Sequence, residues 1–195
     1  MSDLLTTAEA ALAGLCPPTA SLPLGPMAPV VQGGFNGMQK GDWVVCGPRE
    51  RIGAVLRGAK VERLVDPHSG ARPYKVAPVS GAPGNRALHA VGLALGSKAP
   101  VLCILGSASA ASGAFAEALN AAALTGAHVI FLLATTPIRD DAPVGRQLAG
   151  DPVERARAYG IDAHTSAPTP EDIQAAVNQA REGAGPALIH VQLEL

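Results

Sequence analysis

The chain has 195 residues, 48% of them apolar but only 3% aromatic, and a formal net charge of −1. That length bounds it to one ordinary domain whose core must be built from Ala, Val, Leu and Ile. The balanced charge leaves no footprint for nucleic acid or an anionic membrane, and no run of 18 apolar residues offers a membrane span. Cys16, Cys46 and Cys103 lie far apart, without a CxxC or Cys/His cluster, so zinc is not indicated. Cys46 and Cys103 sit in apolar runs and read as buried reduced thiols.

The N-terminal segment carries Asp3 and Glu9 and reads as a short amphipathic helix to Leu15. It has no basic region ahead of an apolar core, so it is not a signal peptide, and the cytoplasm is the expected address. Cys16–Met38 holds five prolines and then Gly33, Gly34 and Gly37. Such a stretch is expected to be extended or looped, an arm that wraps the domain or reaches a partner. Residues 1–40 are thus read as helix and arm, and 41–195 as a single α/β domain.

From Trp43 the pattern alternates. Trp43–Cys46 is a short apolar strand, and Arg49–Arg57 a helix stopped by Gly58. Asp66–Gly84 is rich in turn residues. Asn85–Lys98 reads as a helix of small residues, with Ala90/Ala94 and Gly92/Gly96 at i,i+4, a spacing that lets a second helix approach closely. Val101–Leu105 is a buried strand, Gly106–Gly113 a loop, Ala114–Thr125 a helix and Val129–Ala134 a second buried strand. Thr136–Pro152 is a polar loop followed by a short helix to Tyr159. Ile161–Thr165 reads as a strand, Pro170–Glu182 as a helix capped by Thr169, and Ala187–Leu193 as the last strand. Wholly apolar strands separated by helices predict a mostly parallel sheet with helices on both faces.

The segment Val101–Thr136 carries the chemistry. A strand runs into Gly106, Ser107, Ala108 and Ser109, and a helix follows from about Gly113. Unpaired amides and a positive dipole end at such a helix start are the elements of a phosphate site. Tight packing of a strand-to-helix turn would demand the same small residues. Neither G-x-x-x-x-G-K-[ST] nor G-x-G-x-x-G is present, so a Walker site and a dinucleotide fingerprint are both excluded. His68, His89, His128, His164 and His190 have no ligand spacing and read as structural or surface residues. Glu117 and Asn120, at i,i+3 on one helix, read as packing or cap contacts.

The same segment resembles the alpha subunit of thiamine diphosphate-dependent 2-oxo acid dehydrogenases. That family has Gly-Asp-Gly after a strand, a helix like FHEALNLAAL, and a strand ending in Asn-Asn. Here Gly106-Ser107-Ala108 is followed by FAEALNAAAL from Phe115 to Leu124, then VIFLLA and Thr135-Thr136. Gly84–Lys98 resembles the glycine-rich helix upstream. Gly160-Ile161-Asp162-Ala163-His164 resembles G-x-x-V-D-G-x-D, and GAGPALIHVQLEL resembles the GKGPxLIExxTYR strand. Pro48–Gly58 resembles the Tyr-Arg-x-His-Gly…Arg-Gly segment beside the cofactor diphosphate. The likeness spans roughly residues 40–195 and implies a thiamine diphosphate-binding-type fold.

It also implies what is altered. Ser107 and Thr136 stand where the family places the Asp and Asn that hold magnesium. Pro48 and Arg51 replace a tyrosine and a histidine, while Arg49 matches the family's arginine. The family's His-Gly-His-Ser loop lies beyond the point where this chain ends. Neutral hydroxyls do not offset the dehydration of magnesium.

The expectation is therefore a non-catalytic homologue, or pseudoenzyme, with no catalytic residues, no metal ligands and no cofactor. Arg49, Gly106, Ser107, Ala108, Ser109, Thr135 and Thr136 would form its vestigial or metal-free site. Its partner would be a second copy or a dehydrogenase beta-subunit-like chain, with neither nucleic acid nor membrane involved. The arm and the helix Asn85–Lys98 would form the interface. Two alternatives stand beside it. One is a dehydrogenase or decarboxylase subunit using thiamine diphosphate and magnesium through an atypical site, with ligands from Asp140 and Asp141 or from a partner chain. The other is a metal-free binder of a phosphorylated small molecule through Gly106–Gly113 and Arg49.

Overall fold

The computed structural model describes residues 2–16, 23–69, 71–79, 82, 84–136 and 148–193. Its helices are α1 (Ser2–Leu15), α2 (Ala28–Asn36), α3 (Asn85–Ser97), α4 (Ser107–Ala110), α5 (Gly113–Thr125), α6 (Pro152–Ala158) and α7 (Pro170–Glu182). The strands are β1 (Trp43–Val45), β2 (Val101–Gly106), β3 (Val129–Thr135), β4 (Asp162–Ser166) and β5 (Ala187–Gln192). They form one sheet in the order β1-β2-β3-β5-β4, and every pairing is parallel. This is the doubly covered α/β architecture expected from the apolar strands.

Successive strand residues point to opposite faces, and the two halves of the core follow that pleat. Leu102, Ile104, Ile130, Leu132, Ile189 and Val191 meet α1, α2 and α7 on one face. Cys103, Leu105, Phe131, Leu133 and Leu188 meet α3, α5 and α6 on the other. Among the described residues the aromatic pair is Phe115 and Phe131, edge-on with ring centroids 5.7 Å apart. Small residues do the rest: Ala87, Ala90 and Ala94 of α3 and Ala118 and Ala122 of α5 are all buried.

Within Cys16–Met38, Ala28–Asn36 departs from the expected extended arm because it is the helix α2, while 17–22 lie outside the described residues. Pro29 lies in its first turn, where a missing N–H costs nothing. Its glycines serve packing. A Cβ on Gly33 would lie 2.6 Å from the carbonyl oxygen of Pro170 and 2.7 Å from Ile173 Cβ, and one on Gly37 2.6 Å from Val177 Cβ. The glycines weaken α2 locally and let it press onto α7. Leu5, Ala8 and Leu12 of α1 are buried in the same core.

Two further elements differ in kind. Glu50–Arg57 is a 3-10 helix, closed by Gly58 at φ 91°. The expected loop Gly106–Gly113 contains α4, a single turn that starts directly at the end of β2. Thr169 caps α7 as read from the sequence, its hydroxyl accepting from Asp172 N at 3.2 Å.

Candidate functional site

Parallel strands gather their carboxyl ends on one edge of the sheet. A crevice opens there wherever neighbouring strands send their connections to opposite faces. After β1 the chain passes to the α1/α2 face, where Ile52, Ala54 and Val55 join that core. After β2 it passes through α4 to α5 on the other face. The switch therefore falls between β1 and β2, and β3 ends beside β2 because Gly106 pairs with Ala134.

Gly106 closes β2 in extended geometry, and Ser107 opens α4 half-buried. Ala108 is exposed, and Ser109 is buried. The hydroxyl of Ser112 donates to the Ser109 carbonyl at 2.7 Å and accepts from Phe115 N at 3.2 Å. Ser112 is thus the cap of α5. Gly84 makes room for it, since a Cβ there would lie 2.2 Å from Ser112 Oγ. The start of α3 is thereby fixed against the start of α5.

At the end of β3, Thr135 is buried and its hydroxyl lies 2.9 Å from His190 Nε2 of β5. Thr136 follows it, half-buried. Burial pulls the His190 pKa below its ordinary value, and Asp151 opposes that shift. A histidine inside the apolar run ALIHVQ was the signal that a buried polar pair sat there. His128 is structural, its Nε2 3.1 Å from the Ala180 carbonyl oxygen.

Arg49 precedes the 3-10 helix at the end of β1, and its Nε is buried without a hydrogen-bond partner. Arg51 is buried beside it. No motif in the sequence marks Arg86, which sits against Glu50 and Gly47. From the first turn of α3 its guanidinium reaches the Ile104 carbonyl at 3.5 Å and Glu50 Oε2 at 3.8 Å. Glu50 also accepts from Gly47 N at 2.8 Å. A Cβ on Gly47 would sit 2.5 Å from Arg86 Nη1 and 2.6 Å from Glu50 Oε2, so only glycine lets the pair close over the strand end. The Nε of Arg86 is buried and unpartnered as well.

Burial pushes the Cys46 thiol well above its ordinary range, with Glu50 adding to the shift and Arg86 opposing it. Cys103 is pushed up to about 12 by burial. Both are neutral at physiological pH, and they belong to opposite faces of the sheet. Among the described residues no group of three or more His, Cys, Asp or Glu is placed to hold a metal ion. Asp140 and Asp141 lie outside the described residues. Among the described residues, no helix is long and apolar enough to cross a membrane.

The structure therefore brings Gly106, Ser107, Ser109, Thr135 and Thr136 to adjacent strand ends, and Arg49 to the neighbouring crevice. It adds Glu50, Arg86, Ser112 and His190: Glu50 pairs with Arg86, Ser112 caps α5, and His190 bonds the Thr135 hydroxyl.

No family model and no curated protein matches the chain. Solved structures do. A transketolase from Campylobacter jejuni subsp. jejuni superposes with a TM-score of 0.72 at 18% identity, over 98% of this chain and 37% of that one. An enzyme from Mycobacterium smegmatis, assigned as thiamin diphosphate-dependent, gives 0.61 at 21% identity, over 85% of this chain and 31% of that one. The fold is that of the thiamine diphosphate-binding domains, and the chain spans about a third of the length of either neighbour.

Proposed function

We propose that this chain is a non-catalytic relative of thiamine diphosphate-dependent subunits, one that acts by associating with a second copy or with a beta-subunit-like chain. The observation that carries the reading is that hydroxyl and imidazole groups at the strand ends are spent on contacts within the chain. Ser112 caps α5, His190 engages Thr135, and Glu50 with Arg86 closes over Gly47. The described residues do not fit a magnesium-bound diphosphate. Ser107 and Thr136 offer neutral hydroxyls where a hard divalent ion needs charged oxygen. Sedimentation equilibrium tests the association. The reading expects a mass at least twice the 19.7 kDa of one chain, alone or with a beta-type partner. A strict monomer in both conditions would remove it.

A second reading rests on a separate observation. The Nε atoms of Arg49 and Arg86 are buried without partners, and unsatisfied buried donors carry a cost that an anion would relieve. This favours a metal-free binder of a phosphorylated small molecule at the β1/β2 crevice. Phosphate-dependent protection of Arg86 against phenylglyoxal would support it, and reactivity unchanged by phosphate would remove it. The enzyme alternative would need ligands from Asp140 and Asp141 or from a partner, and magnesium-dependent cofactor binding is its signature.

A further inference from the structure

The other end of β1 carries a feature that the strand-end site does not use. An open cavity of about 460 Å³ is lined by Trp43, Ser69, Arg72, Pro73 and Lys75. That volume falls within the range of small-molecule sites, and Trp43 is the chain's single tryptophan. Lys75 sits at φ 60°, a left-handed backbone that is unfavourable for a residue with a Cβ, and its ammonium lies 4.9 Å from the centre of the Trp43 ring.

The walls are held in place by backbone bonds. Val44 N donates to the Lys75 carbonyl at 2.8 Å, and Ala77 N to the Val44 carbonyl at 2.9 Å. From beneath, buried Arg57 donates to the Asp42 carbonyl at 2.8 Å and to the Tyr74 carbonyl at 3.1 Å, so one guanidinium grips both walls. The side-chain carboxylate of Asp42 is taken by Arg181. Among the described residues neither Arg72 nor Lys75 has a carboxylate partner. The nearby carboxylate of Asp66 accepts from the Ser69 hydroxyl and from the amides of His68 and Ser69. Ser69 Oγ, its proton committed to Asp66, is left as an acceptor toward the cavity.

We infer that this cavity is a binding site for a small anion bearing a flat ring with an N–H donor, a ligand of the nucleoside monophosphate class. The ring lies against Pro73 and the part of Trp43 that the Lys75 ammonium leaves open, its amino group donates to Ser69 Oγ, and its anionic group is held by Arg72 and Lys75. Pre-set walls lower the ordering cost of binding.

The tryptophan reports on the site directly. Titrating the full chain with adenosine monophosphate is expected to change Trp43 fluorescence saturably, at least tenfold more tightly than adenosine or inorganic phosphate alone. Arg72→Ala and Lys75→Asn should each weaken binding at least fivefold, asparagine being chosen because it tolerates the left-handed backbone. Arg63→Ala, an exposed cation outside the cavity, should leave affinity unchanged. Unchanged urea midpoints would show that the variants fold. No saturable change up to about 1 mM, equal affinity for adenosine, or insensitivity to Arg72→Ala would each overturn the inference.

Discussion

Gly33→Ala is a sharp test of how α2 is seated. Inside a helix, alanine is favoured over glycine by about 0.5–1 kcal/mol, so propensity alone predicts stabilisation. The structure predicts the reverse. The new Cβ would lie 2.6 Å from the Pro170 carbonyl oxygen and 2.7 Å from Ile173 Cβ, against about 3.5–4.0 Å for carbon atoms at rest. Both obstacles are fixed to the α7 backbone, so α2 and α7 must part by about 1 Å. Overpacking of this kind costs about 1–3 kcal/mol, so against that helix gain the central values leave a net loss of about 1.2 kcal/mol. With a urea m-value of about 2 kcal/mol per molar, the midpoint should fall by about 0.6 M. Gly92→Ala is the companion, since that helical glycine is exposed with nothing within 4 Å of its Cβ position. Its midpoint should rise by about 0.3–0.5 M. A Gly33→Ala chain as stable as the parent would refute the close approach of α2 to α7.

Arg86→Met should destabilise by up to about 3 kcal/mol, because Glu50 is left nearly buried with only the Gly47 amide, and urea midpoints would register the loss. His190 has a folded pKa below its unfolded value of 6.5, so the unfolded chain binds the extra proton as pH falls. Stability is therefore full above that value and declines below it, and His190→Gln should flatten the slope of thermal midpoint between pH 7 and pH 5. Cys46 and Cys103, buried and raised in pKa, should stay silent to an aromatic disulfide reagent at pH 8 until urea unfolds the chain. Rapid native labelling of either thiol would contradict the packing of β1 and β2.

Much of the architecture was legible because β1, β2, β3 and most of β5 are apolar and the helices between the strands carry clear stops, such as Gly58 and Gly126, or caps such as Thr169. What escaped was set by tertiary contact. The glycines of α2 read as chain breakers, yet they are small because Ile173 and Val177 press on them. Ser107, Ser109 and Ser112 all precede α5 in the sequence, and only the fold, which sets Ser112 next to Gly84, picks out the cap. Arg86 carried no local pattern at all. It matters because α3 starts beside the end of β1, a neighbourhood set by strand order rather than by any spacing along the chain.

Calorimetric titration of the purified chain with thiamine diphosphate, with and without magnesium, asks whether the strand ends still accept a metal-bound diphosphate. With Ser107 and Thr136 at the metal positions, no magnesium-dependent heat is expected. Binding that appears only when magnesium is added would contradict that expectation and would assign the chain a working cofactor site.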